Sequence, residues 1–384
     1  TGATVLAGTG FCFCEGGGGG YNRYIDDAVV YPPKPRGARV RPMISSNADG
    51  FHSGFYPVGV RHGPTLIGCY FEGTDDDGIA IHGVYVMLQH VQGTQIVILS
   101  NDGSFVRPGD TLKFYNSKGG FVGQNRVVSI AVANGYKPQR YSDNPHFQHA
   151  SQFFSVKLNH AVLGAAFGDY IDDTDCNGSG FAIRDCTVRN NRARGMLIKA
   201  DDGVIEDNTV DGSSMEGIVI SPELNWNEAG CSSNLLIEGN TIRHVGDANA
   251  GPAYMAGAMS IVAYPHHNFL PRDFGHNNIA ILQNRFIDNN GLNLLLVDAR
   301  NVLMADNTFI DPMRNNHGGN IYGASSLIWM QECRNVFLAG NRVVVPGPAV
   351  KTLVGIGPDD SAVKGIGNGV KIKPSEKQPP YAGK

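Results

Sequence analysis

The chain has 384 residues, with 31 Lys and Arg against 35 Asp and Glu, a formal net charge of −4 and only 17% charged residues. That balance gives no general attraction to nucleic acid or anionic membrane, and no run of 18 apolar residues offers a membrane span. Seven cysteines are too sparse for a disulfide scaffold, while 50 glycines favour tight turns over long helices.

The chain opens mid-pattern on TGATVLAGTGF, with no signal peptide, which leaves room for an upstream portion. EGGGGGYN (15–22) has the glycines of a phosphate loop but no Lys-Ser/Thr, so it reads as a tight backbone passage. TLIGCYFEG (65–73) is the first clear member of a repeat. TDDDGIAIHG (74–83) follows, with Asp75, Asp76 and Asp77 in a row. Adjacent carboxylates repel, so this cluster calls for a reason other than stability.

Residues 84–159 break the repeat and read as four or five strands joined by Asp-Gly, Pro-Gly and Gly-Gly turns, an inserted small β-barrel. DDTDCNG (172–178) is calcium-loop-like, but Arg184 stands where that loop needs a bidentate Glu. From residue 160 to 345 the repeat dominates: GFAIRDCTV, GVIEDNTV, NLLIEGNTI, NIAILQNRF, NVLMADNTF and NVFLAGNRV. Their Cys186, Asn208, Asn240, Asn284, Asn307 and Asn341 recur at intervals of 22, 32, 44, 23 and 34 residues. A minimum near 22 with variable additions predicts a right-handed parallel β-helix, one coil per repeat, with the Asn side chains stacked inside a turn. Residues 1–83 form its first part. Residues 346–384, rich in Gly, Pro and Lys, are expected to be an extended tail.

Strands that follow an X-Gly step align: Thr9-Gly10-Phe11, Asp49-Gly50-Phe51, Asp77-Gly78-Ile79, Arg194-Gly195-Met196 and Glu216-Gly217-Ile218. Alternation sends the large apolar residues inward, Phe11 and Phe13 included. It sends Asp49, His52, Asp77, His82, Arg194, Lys199, Glu216 and Ser221 outward. Stacked coils make these one charged patch. Crowded carboxylates push at least one pKa upward, so one can hold a proton while another stays ionised, as glycoside hydrolysis requires. A second cluster, SPELNWNEAG (221–230), brings Glu223, Trp226 and Glu228, suited to sugar hydroxyls and a sugar ring face. A polygalacturonase-like or lyase-type polysaccharide-degrading enzyme and a non-catalytic carbohydrate-binding protein on the same scaffold are the alternative readings.

SSNADGFHS (45–53), GTDDDGIAIHG (73–83), RPGDTLKFY (107–115), RARGMLIKA (192–200) and SPELNWNEAG (221–230) together resemble the α-1,3-galactosidase-related β-helix proteins of glycoside hydrolase family 110. The resemblance covers most of residues 1–345. It implies an exo-acting, inverting glycosidase without metal or organic cofactor, secreted or periplasmic, acting on terminal galactose-type sugars. Its three-aspartate site falls on Asp49, Asp76 and Asp77. His52, His82, Arg194, Lys199, Glu216, Glu223, Trp226 and Glu228 are the expected substrate-binding residues. The family 28 polygalacturonases share N-x-D and DD-x-IAI, but their Gly-His-Gly is absent, and Leu197 stands where their uronate-gripping Arg should be. A neutral sugar is therefore expected over galacturonate.

Overall fold

The computed structural model describes all residues except 56–58, 101–104, 118–119, 138–146, 148–151, 248–256, 264–274, 315–324, 358–359 and 374–384. The expected all-β architecture forms: a parallel β-helix with an inserted barrel. Each coil contributes one short strand to each of three parallel sheets. Sheet I holds Ala182–Arg184 and Val204–Glu206, sheet II holds Thr187–Arg189 and Thr209–Asp211, and sheet III holds Met196–Lys199 and Ile218–Ile220. Strands this short are stable only as a stack, because one coil cannot bury its own apolar side. Stacked, Phe51, Ile79, Ile81, Met196, Ile198, Ile218 and Ile220 of sheet III close on Leu66, Ile183, Ile205 and Ile237 of sheet I and Val188 and Val210 of sheet II in one continuous core.

The turn between sheets I and II carries the asparagine ladder. The Nδ2 of Asn208 donates to Oδ1 of Asn240 (2.9 Å), Asn240 to Asn284 (2.9 Å), Asn284 to Asn307 (3.1 Å) and Asn307 to Asn341 (2.9 Å). Each Oδ1 also accepts the backbone N–H of the Asn in the preceding coil, as Asn284 does from Asn240 at 3.0 Å. A buried turn thereby satisfies the polar groups that it would otherwise strand. Cys186 takes the ladder position in its own coil, and its backbone N–H donates to Asn208 Oδ1 at 2.8 Å.

The barrel is closed and antiparallel, in the order Gln95–Ser100, Gln152–Leu158, Phe121–Val132, Thr111–Tyr115, Tyr170–Asp173, Val86–Gln92. Among the described residues it therefore has six strands, and it runs beyond the expected limit of residue 159. Tyr170–Asp173 closes it by pairing with Thr111–Tyr115 on one side and Val86–Gln92 on the other. That strand's alternation is masked in the sequence by two adjacent aspartates, Asp172 and Asp173, both buried. The barrel is tied to the β-helix by Lys113, whose Nζ donates to both oxygens of Asp201 at 3.1 and 2.9 Å.

The expected tail from 346 is also corrected. Thr352–Ile356 pairs with Ser326–Gln331 in sheet III, and Val370–Lys373 pairs with Asn341–Val344 in sheet II. Gly357, Gly365, Gly367 and Gly369 sit between these two short strands of a further coil.

Asn284→Ala removes the ladder acceptor for Asn240 and strands the Ile237 carbonyl, to which Asn284 Nδ2 donates at 2.8 Å. The expected loss of stability is roughly 3 kcal/mol, from more than one buried group left unsatisfied. Urea denaturation measures it; an unchanged midpoint would show that the ladder contributes nothing net.

Candidate active site

Sheet III brings the charged residues together because its coils approach closely at each X-Gly step. The backbone N–H of Gly50 donates to the carbonyl of Asp77, Gly78 to Arg194, Gly195 to Glu216 and Gly217 to Ala258. A Cβ on Gly78 would lie 2.6 Å from the Gly195 carbonyl oxygen, and one on Gly195 would lie 2.4 Å from that of Gly217. Glycine at these positions lets the preceding side chains stack outward in one column: Asp49, Asp77, Arg194, Glu216.

The first coil is corrected by two residues. Phe13, not Phe11, pairs with Phe51, and Cys12 N–H donates to the Asp49 carbonyl. Phe11 therefore holds the column position outside the core, where its ring stacks on His52 with centroids 4.0 Å apart. The Gly10 step points to the wrong register, since the residue aligned with Gly50 is Cys12, which carries no glycine signal.

Within the cluster the three aspartates have different surroundings. Asp77 is gripped by Arg194, whose Nε and NH2 reach its two oxygens at 2.8 Å each, and Oδ1 also accepts the Arg194 backbone N–H at 2.8 Å. Both of its oxygens are committed as acceptors. Asp49 accepts the Asp77 N–H on Oδ1 at 3.1 Å and meets His52 Nδ1 with Oδ2 at 2.6 Å. Burial raises its pKa to about 7, with the charges of Asp77 and Asp76 adding and His52 opposing. Asp76 is half-buried. Its backbone carbonyl is held by Thr74 and Asn191, but its carboxyl forms no hydrogen bond or ion pair among the described residues. Burial and then the Asp77 charge push its pKa above the usual value.

The two histidines fix where protons sit. His82 Nδ1 lies 2.7 Å from the Gly83 carbonyl, which can only accept, so Nδ1 carries a proton. Burial lowers the His82 pKa to about 4, so the ring is neutral at ordinary pH and its Nε2 is an acceptor. His52 Nε2, 3.1 Å away, must then donate. One further proton lies between His52 Nδ1 and Asp49.

The loop 221–230 is placed by Glu228–Ala229, which pairs antiparallel with Gly83 and Val84 at the end of the His82 strand. This brings Glu223 to Arg194 (3.1 Å) and to Lys199 (3.0 Å), and Glu228 to Lys199 as well. Lys199 is fully buried. Burial opposes both cations, yet the facing carboxylates hold Arg194 and Lys199 above their ordinary values. For Glu228, burial acts upward, but His82 and Lys199 outweigh it and hold the pKa well below the usual range. Glu216 lies next to Arg194 in the column. Both of its oxygens are buried with no hydrogen-bond partner among the described residues, and burial raises its pKa to about 7.

The structure thus gathers Asp49, Asp76, Asp77, His52, His82, Arg194, Lys199, Glu216, Glu223 and Glu228. It leaves Trp226 on the outer side of the loop, 68% exposed and without a ring contact to the cluster. Sequence reasoning missed Phe11 and an outward apolar strip, Ala80, Leu197 and Val219, that lies beside His52 on the sheet. The alternation that placed His52 outward also placed these three residues, but apolar side chains gave no reason to single them out. Oxygens of Asp49, Asp76 and Asp77 lie within 4.8 Å of one another, close enough to share a cation. His52 and Arg194 already occupy Asp49 and Asp77, however, which is a poor donor set for one.

Residues 174–343 match the family described as right handed beta helix region. Among curated proteins the chain is similar to alpha-1,3-galactosidase B of Bacteroides thetaiotaomicron, 24% identical over 321 residues, covering 78% of this chain and 46% of that protein. It is similar to alpha-1,3-galactosidase A of Bacteroides fragilis, 23% identical over 320 residues, covering 82% and 49%. It is also similar to alpha-1,3-galactosidase B of Parabacteroides distasonis, 27% identical over 238 residues, covering 56% and 36%. The chain spans half the length, or less, of the curated relatives it matches.

Lys199→Met leaves Glu223 and Glu228 facing each other in a buried site. The expected cost at neutral pH is about 3–5 kcal/mol, the range for breaking a buried ion pair. Because the folded pKa of Glu228 is depressed, its contribution is present above the unfolded value and lost as pH falls. The gap between wild type and variant should therefore hold down to pH ~4, near the unfolded Glu value, and narrow below it. Denaturation midpoints across pH test this; a gap that is constant or widens in acid contradicts the charge assignment.

Proposed function

We propose that this chain carries the catalytic face of an exo-acting glycoside hydrolase that removes terminal galactose-type sugars, with α-1,3-linked galactose as the favoured substrate. The observation that carries the reading is the asymmetry among the aspartates. Asp77 is clamped, Asp49 shares a proton with His52, and Asp76 alone has an unengaged carboxyl with a raised pKa. The likeness to alpha-1,3-galactosidases over about four-fifths of the chain supports the substrate class.

In this reading Asp76 is the general acid and protonates the leaving glycosidic oxygen. Asp49, in its ionised form, takes the proton of the attacking water, and His52 steadies the carboxylate. Asp77 keeps Arg194 in place and adds the charge that holds the proton on Asp76. Glu223 and Glu228 accept from sugar hydroxyls, the buried Glu216 stands behind Arg194, and Trp226 on the outer side of the loop offers a ring face only to sugar units beyond the cluster. The oxygens of the three aspartates lie within 4.8 Å of one another. That is closer than the ~6.5–9.5 Å between opposed carboxyls that admits water in inverting enzymes. Inversion on this floor therefore requires the sugar to stand on edge, leaving oxygen over Asp76 and opposite face toward Asp49. The 221–230 loop and the barrel strand that starts at Val86 pack together beyond His82 and wall one end of the cluster, which favours exo action. A glycan substrate of this kind places the enzyme outside the cell or in a periplasm.

Asp76→Asn should lower turnover of a galactoside with a poor leaving group by about 10²–10⁴, the usual contribution of a general acid. An aryl galactoside with a good leaving group needs little protonation and should suffer far less. Asp49→Asn should slow both. Equal losses on both substrates for Asp76→Asn would remove it from the acid role. Wild-type turnover should rise as pH approaches the Asp49 value of about 7, where that carboxyl ionises, and fall as pH rises through the raised Asp76 pKa, because only protonated Asp76 donates. Proton NMR of the first sugar released from an α-galactoside should show the β anomer; release of the α anomer would remove Asp49 from the base role.

A further inference from the structure

The exterior of sheet II changes character along its length. On Thr187–Arg189 and Thr241–Arg243 the outward cations are paired. Arg189 lies 3.9 Å from Glu72 and from Asp211, and Arg243 lies 2.9 Å from Asp211. Further along the same sheet, Arg285, Arg342 and Lys371 are exposed and form no ion pair among the described residues. The register stacks them in one outward column: Arg285 beside Thr308, Thr308 beside Arg342, and Arg342 beside Lys371. They line a recess of about 780 Å³, together with Gln283, Asp306 and Asn368.

Three unpaired cations in one recess run against a chain whose net charge is −4. A guanidinium fork matches a carboxylate or sulfate group with paired hydrogen bonds. The amides of Gln283 and Asn368, the Thr308 hydroxyl and the Asp306 carboxylate suit neutral hydroxyls. The lining has no aromatic ring on which a nucleobase could stack, and Asp306 opposes a continuous run of phosphates. Coils repeat at ~4.8 Å, so Arg285 and Arg342, two coils apart, offer cations roughly 10 Å apart, with Lys371 about 5 Å beyond. An extended sugar chain with acidic groups on neighbouring or alternate units presents charges on that scale, and the recess volume fits a short oligosaccharide.

We infer that this recess is a second carbohydrate site, which holds a segment of an acidic glycan by its carboxylate or sulfate groups. It lies on sheet II, whereas the aspartate cluster lies on sheet III, and it does not depend on the hydrolase reading.

Calorimetric titration of the full chain tests this with four probes: tetragalacturonate, a sulfated oligogalactan, a neutral galacto-oligosaccharide and a short single-stranded DNA. At least one acidic oligosaccharide should bind, more tightly than the DNA, and the one that does identifies carboxylate or sulfate as the preferred group. The double variant Arg285→Gln/Arg342→Gln should weaken that binding about tenfold or more, the size of one lost charge-assisted hydrogen bond. It should leave the thermal midpoint and any binding of the neutral probe unchanged. The inference is overturned if neither acidic probe binds, if the double variant binds them as wild type does, or if the DNA binds more tightly than both.

Discussion

Where one coil lies on the next in the middle of sheet III, the N–H groups of Gly50, Gly78 and Gly195 donate to the carbonyl of the X residue in the neighbouring X-Gly step. That contact sets the register of the whole sheet. A one-residue slip would turn the Ile79, Met196 and Ile218 column outward and bury the aspartates in the core. The core and the reactive cluster are two faces of the same strands, so neither can shift without the other. The asparagine ladder at another corner holds the same register from a different side, through side-chain amides instead of a missing Cβ.

The cluster itself is electrostatically costly. Carboxylates and cations lie mostly out of water, where pairing must offset desolvation. Arg194 bridges Asp77 and Glu223, and Lys199 bridges Glu223 and Glu228, so one chain of alternating charges runs from the column into the loop. Two groups stand outside it, Asp76 and Glu216, and both have raised pKa values. Asp76 is half-buried and can reach solvent. The network thus separates carboxylates that are fixed as acceptors from one that can carry and release a proton, which is the division that acid catalysis needs.

Most of the fold was legible because it repeats. The Asn units gave the coil, and the interruption after His82 gave the insertion. The barrel's last strand was not legible, because Asp172 and Asp173 are buried there without an ion pair among the described residues, their pKa values raised by burial, and two carboxyl side chains leave no apolar pattern to read. The final coil was hidden by its turns, since strands of four or five residues separated by Gly and Pro resemble a linker. In the site, alternation placed Asp49, His52, Asp77, His82, Arg194 and Lys199 on one face. It could not show the pairing of Glu228–Ala229 with the His82 strand, which is a contact between distant segments and is what brings the loop carboxylates to Lys199. The shift of Phe11 onto His52 was lost for a related reason: a glycine two residues early offered a better local match than the register that the stack imposes.

The central claim is that proton positions in the cluster are fixed by geometry: one on His82 Nδ1, one on His52 Nε2, one between His52 and Asp49, none on Asp77, and Asp76 free to carry its own. Neutron diffraction from deuterium-exchanged crystals at mildly acidic pH observes these positions directly. The account predicts deuterium on His82 Nδ1 and His52 Nε2, a single deuteron between His52 Nδ1 and Asp49, a bare Asp77 and a deuterated Asp76. Deuterium on His82 Nε2, or on Asp77 with Asp76 bare, would contradict it.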